Sequence, residues 1–194
     1  MTRKSAIAVM AFKDSLPILM GYGVMGFAAG VVFAACSGMS NPALWSGFIA
    51  ATSFSGTLQF AIGNWFKDGW SAVLVALTTF AISFRYAFYG LSLIGKWRGI
   101  GVFRKFFLIL GLTDENYALE SSRHFVRKCD FERYCLLLTS FNLSYWVVGC
   151  TLGALLGDVL QIPDKGVDFV MAALFITILT DQVRALFCRK GGAQ

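Results

Sequence analysis

The chain has 194 residues, of which 57% are hydrophobic and 14% charged, with a formal net charge of +6. An ordinary soluble domain carries about a quarter of its residues as charges. This composition therefore excludes a soluble enzyme or nucleic-acid-binding domain and points to an all-α polytopic integral membrane protein, in which lipid replaces water around the perimeter.

The positive charge sits between apolar runs: Arg3, Lys4 and Lys13; Lys96, Arg98, Arg104 and Lys105; Arg123, Arg127, Lys128 and Arg133; and Arg184, Arg189 and Lys190. Residues 1–15 start basic, but Lys13 and Asp14 cut the apolar run short, so an interfacial leader is expected rather than a cleaved signal. The first span is expected over 16–35, where twenty residues at about 1.5 Å each reach about 30 Å and Pro17 falls in the opening turn. Gly23, Gly26 and Gly30 share one of its faces, a pattern that lets another helix approach closely.

The next apolar run, 44–66, is long enough to cross. It nevertheless contains Thr52-Ser53-Phe54-Ser55-Gly56-Thr57-Leu58-Gln59-Phe60, a cluster of hydroxyl and amide groups interrupted by Gly56. If it crossed fully from a cytoplasmic N-terminus, the basic 96–105 loop would fall outside; if it broke and returned, every basic cluster would lie inside. The charges favour a re-entrant or broken helix, with full spans over 16–35, 71–94, 134–156 and 167–187 and both termini cytoplasmic. A crossing 44–66 with more spans is the alternative, so the expected total is four to six membrane segments. The short apolar run 106–112 cannot span and is expected to enter from the cytoplasmic side. Two broken elements entering from opposite faces are compatible with an inverted repeat. Gly149, Gly153 and Gly157 give the later span its own small-residue face.

The polar groups within these runs are the candidate site. Thr52, Ser55 or Gly56, and Gln59 share a helix face, and a break at Gly56 would free backbone N–H groups for a carboxylate. Gln59 offers donors and acceptors, for a substrate or for bridging two helices. Arg85 is costly at depth, about 2.5–3.5 kcal/mol on insertion scales, so it either snorkels or pairs with an acid or a substrate carboxylate beside Ser83 and Tyr86. Thr113, Asp114 and Glu115 read as a helix cap with acids in its first turn, or as a proton relay or a partner for Arg85. Asn142, Ser144, Thr177, Thr180, Asp181 and Arg184 are secondary, with Asp181 and Arg184 spaced to pair. The five cysteines show no metal spacing, no disulfide is expected, His124 lies among basic residues, and no catalytic or cofactor motif is present.

Ser53-Phe54-Ser55-Gly56-Thr57-Leu58-Gln59-Phe60, then Arg85-Tyr86, then Leu112-Thr113-Asp114-Glu115, resemble in order and spacing the AzlC family, also called the YgaZ type, over roughly residues 10–185. The resemblance implies a single membrane domain of a bacterial inner-membrane exporter of branched-chain amino acids, working with a small hydrophobic partner of the AzlD type. It carries over to Ser55, Gly56, Gln59 and Phe60, to Arg85 and Tyr86, and to Thr113, Asp114 and Glu115, without assigning substrate contact among them; by their own chemistry Ser55, Gly56, Gln59, Phe60 and Arg85 are candidate substrate contacts, and Tyr86, Asp114 and Glu115 candidates for coupling or gating. Family members usually continue into a further hydrophobic segment after the counterpart of Phe187, which this sequence does not contain. A structural or assembly subunit, or the permease subunit of another transporter, is the competing expectation.

Overall fold

The computed structural model describes residues 3–160, with 176 and 180 beyond them. The elements run α1 (Arg3–Ser37), α2 (Pro42–Ser53), α3 (Gly56–Asp68), α4 (Ala72–Leu93), α5 (Val102–Leu110), α6 (Asp114–Ser122) and α7 (Lys128–Leu160). Among them α1, α4 and α7 are long and apolar enough to cross a membrane. The expected span over 167–187, with Asp181 and Arg184, lies outside the described residues.

Instead of an interfacial leader followed by a span, α1 is one helix of 35 residues, about 50 Å long. Its buried positions Ile7, Ala11, Ser15, Tyr22, Gly26, Gly30 and Phe33 recur on one face. Ile7 and Ala11 join a core with Trp97, Leu108, Tyr134 and Leu138, which draws the leader into the bundle. Asp14, which interrupts the apolar run, accepts from Arg123 at 2.6 Å and from the Tyr134 hydroxyl at 2.7 Å.

Helices α1 and α7 run parallel and touch through backbone. A Cβ on Gly30 would collide with the carbonyl of Cys150, and one on Gly153 with that of Phe27. At Gly23 the expectation of close packing does not hold for the missing side chain: a Cβ there would meet nothing within 4 Å.

The 44–66 run breaks at Phe54 and Ser55, just before Gly56. Phe54 closes α2 at φ 38°, ψ 45°, its N–H on the Ala50 carbonyl, and Ser55 is extended at φ −132°. Two observations prove that the chain then turns back. Gln59 Nε2 donates to Ser46 O and Ser46 Oγ, both at 3.1 Å, across 13 residues that a straight helix would spread over about 20 Å. Moreover, Ser46 donates to Cys150 O, Gly56 lies against the Trp146 ring, and Gly63 returns to Phe33 and Cys36 near the far end of α1. The pair α2–α3 thus enters and leaves at the same end of the bundle.

The pair α5–α6 does the same from the basic end. Helix α5 rises beside α7 from the Arg104–Glu132 ion pair, 2.7 Å, to Gly111 on Thr139. Helix α6 descends beside α1 from Tyr22 to the Arg123–Asp14 pair. Helix α4 descends with it, and beyond its end Lys96 Nζ closes the C-terminus of α6 on the carbonyls of Glu120, Ser121 and Arg123, at 3.0, 2.6 and 3.3 Å. Element order is therefore span then hairpin, twice, with the second hairpin entering from the opposite end, followed by α7. This is the order of an inverted repeat.

Candidate functional site

The two hairpin tips converge on Tyr22, in the middle of α1. Its ring meets Phe54 edge-on at 6.3 Å and Trp146 at 5.6 Å, on the side of the α2–α3 tip. Its hydroxyl donates to Glu115 Oε2 at 2.7 Å and lies 2.9 Å from Thr113 Oγ1, on the side of the α5–α6 tip. Tyr22 is thus wedged between the tips, with an apolar face to one and a polar end to the other.

The tips differ electrically. The N-terminus of α3 has neither a side-chain cap nor an acid in its first turn, so its free N–H groups and dipole leave it positive. The N-terminus of α6 is capped by Thr113, whose Oγ1 accepts from Asn116 N at 3.3 Å, and carries Asp114 and Glu115. Around the positive tip, Ser55 Oγ, Gln59 Oε1 and Trp146 Nε1 are buried without hydrogen-bond partners. Unpaired buried polar atoms are rare in folded proteins. Ser55 and Trp146, 2% and 3% exposed, supply donors, and Gln59 an acceptor.

The residues singled out from sequence fall into two groups. Ser55, Gly56, Gln59 and Phe60 form the α3 tip; Gln59 spends its amide N–H groups on Ser46, so its bridging option is realised, while Phe60 is fully buried in the core. Arg85, Tyr86, Asp114 and Glu115 gather at the other tip: Arg85 pairs with Asp114 at 3.0 Å, donates to the Tyr86 hydroxyl at 3.1 Å and lies 5.0 Å from that ring's centroid. Glu115 goes to Tyr22 instead. Asn142, treated as secondary, holds the α5–α6 tip through a chain of amides: Asn142 Nδ2 to Asn116 Oδ1, and Asn116 Nδ2 to Gly111 O, each 2.6 Å. Tyr22, Ser46, Asn116 and Trp146 were not singled out. Tyr22 carries a signal, a hydroxyl flanked by Gly21 and Gly23 inside an apolar span; Trp146 and Ser46 carry none.

Three apolar helices with two broken pairs entering from opposite ends define a helical membrane protein built around paired half-helices. The profile of the AzlC family, described as AzlC protein, matches residues 17–160, and the chain belongs to that family. It is 30% identical over 172 residues to the branched-chain amino acid transport protein AzlC of Bacillus subtilis (strain 168), covering 89% of this chain and 66% of that protein. It is 32% identical over 176 residues to an uncharacterized membrane protein of Haemophilus influenzae, covering 90% and 70%. To the inner membrane protein YgaZ of Escherichia coli (strain K12) it is 31% identical over 183 residues, covering 90% and 73%. The chain thus spans about two thirds of the length of the first of these relatives. No solved structure matches it.

Proposed function

We propose that this chain exports branched-chain amino acids across the bacterial inner membrane as the larger subunit of a two-component secondary transporter, with a small hydrophobic AzlD-type partner. The observation that carries this reading is the meeting of two half-helix tips of opposite electrical character at Tyr22. An amino acid is a zwitterion of matching polarity. Its carboxylate would lie at the N-terminus of α3, with the donors of Ser55 and Trp146, and its ammonium toward Glu115. Phe54 and the Trp146 ring offer apolar surface for a branched side chain. Asp114 and Glu115, in the first turn of α6, are the candidate groups for coupling transport to an ion gradient, and Arg85 pairs with Asp114. The substrate class follows the name of the Bacillus relative.

The test is efflux of labelled valine from preloaded cells expressing the chain with and without an AzlD-type partner, comparing the native chain with Ser55→Ala. Ser55 Oγ has no partner in the folded protein, so its loss disturbs no internal bond. We expect partner-dependent efflux that Ser55→Ala slows by about tenfold, the equivalent of one lost hydrogen bond. Native protein present in the membrane with efflux no faster than in empty cells would reject the exporter reading and leave these polar groups as helix-bonding elements.

A further inference from the structure

We propose that the recess between α5 and α7 at the basic end of the bundle binds the headgroup of an anionic phospholipid. The recess has a volume of about 470 Å³ and is lined by Arg104, Cys129, Glu132, Arg133, Leu136 and Leu137. It lies away from the Tyr22 site and plays no part in the transport reading, on which this inference does not depend.

The order of groups along α7 matches that of a phospholipid. Cys129, Glu132 and Arg133 form the mouth, and Leu136 and Leu137 the floor one turn deeper, so the lining changes from charged to apolar over about 6 Å along the helix axis. A phospholipid presents the same order, phosphate above glycerol above acyl chain. The exposed Phe103 and Phe106 of α5, 91% and 61% accessible, extend the apolar shoulder along which chains would lie. A soluble anion would meet the same charges but would have no use for that floor.

The charge at the mouth is also specific. Glu132 pairs with Arg104 at 2.7 Å and, with its own side chain only 18% exposed, holds the arginine across the recess while Arg104 remains 65% exposed. A guanidinium has five N–H donors, so Arg104 keeps some for a second acceptor. Arg133 is exposed and has no ion-pair partner among the described residues. Two guanidinium groups against one carboxylate leave a net positive mouth, and arginine recognises phosphate through paired, charge-assisted hydrogen bonds. Basic recesses between membrane helices at the headgroup level bind acidic lipids on this principle.

The experiment is native mass spectrometry of the full chain purified in detergent and mixed with equal amounts of phosphatidylglycerol and phosphatidylcholine. We expect one tightly held phosphatidylglycerol, preferred over phosphatidylcholine by about tenfold, from two basic groups acting on one phosphate. Arg133→Gln, which breaks no internal bond, should reduce that preference about threefold, and Arg104→Gln with Arg133→Gln should abolish it. Arg98→Gln, outside the recess, should leave it unchanged. Equal retention of the two lipids, or an undiminished preference in the double variant, would overturn the proposal. Displacement of the lipid by millimolar glycerol phosphate would also overturn it, in favour of a free phosphate site.

Discussion

The Tyr22 hydroxyl on α1 donates to the Glu115 carboxylate on α6 across 2.7 Å. Because the Tyr22 ring also meets Phe54 on the opposite hairpin, this bond ties the two tips together through one side chain. Tyr22→Phe keeps the ring and deletes the bond. A hydrogen bond to a charged group is worth about 1.5–3 kcal/mol. We expect a chain that still folds, with thermal stability in detergent lowered by that order and valine efflux reduced more than membrane abundance. Equal stability and equal efflux would remove Tyr22 from the mechanism.

Arg85 and Asp114 pair at 3.0 Å with side chains 39% and 45% exposed, so in water their attraction would be worth less than about 1 kcal/mol. In the membrane the larger quantity is the cost of leaving one charge alone, about 2.5–3.5 kcal/mol for an arginine. Asp114→Asn should therefore lower membrane abundance several-fold, whereas Arg85→Gln combined with Asp114→Asn should restore it. A double variant no more abundant than the single would mean that the pair does not set abundance.

Gln59 Nε2 makes two bonds to Ser46, one of them to its backbone carbonyl. Gln59→Ala removes both, whereas Ser46→Ala removes one of them together with the Ser46 Oγ bond to the Cys150 carbonyl. Unfolding in detergent should show a loss of about 1–3 kcal/mol for each variant. No loss in Gln59→Ala would mean that the fold-back is held elsewhere.

Backbone contact between α1 and α7 leaves no space for side chains at Gly30 and Gly153, whereas Gly23 faces open space. Gly30→Leu and Gly153→Leu should yield no monodisperse protein on size exclusion, and Gly23→Ala should behave as the native chain. Tolerance of leucine at both sites would contradict the parallel, interlocked arrangement.

The fold-back also predicts surface labelling. Cysteines introduced at the exposed Asn41 and Asp68 should react with a membrane-impermeant reagent from one side, and a cysteine at Val126 from the other. Reaction of positions 41 and 68 from opposite sides would mean that the segment between them crosses.

Much of this architecture is legible in the sequence because its causes are local or additive. Length and hydropathy place the three long apolar helices among the described residues, and the basic clusters favour a returning 44–66, since only that path collects them at one end. Phe106 to Leu112 reads as too short to cross, and it forms one arm of the second hairpin. The break itself is displaced: Gly56 is the residue most able to break a helix, yet Phe54 takes the left-handed turn, with its ring packed edge-on against Tyr22 of a distant helix. The same long-range dependence hides Tyr22 as a junction and Ser46 as the partner of Gln59. Arg85 and Asp114 are visible as charges in apolar surroundings, and the choice between snorkelling and pairing becomes visible only when α4 and α6 lie side by side.

Phe54 occupies a left-handed conformation, φ 38°, that glycine adopts without penalty and a residue with a Cβ holds only at a cost of roughly 1–2 kcal/mol. The side chain that makes this position awkward is also the one that reaches Tyr22. Ring contact and backbone strain thus meet in one residue at the tip, so a ligand that displaced the Phe54 ring from Tyr22 would remove a contact that offsets that cost.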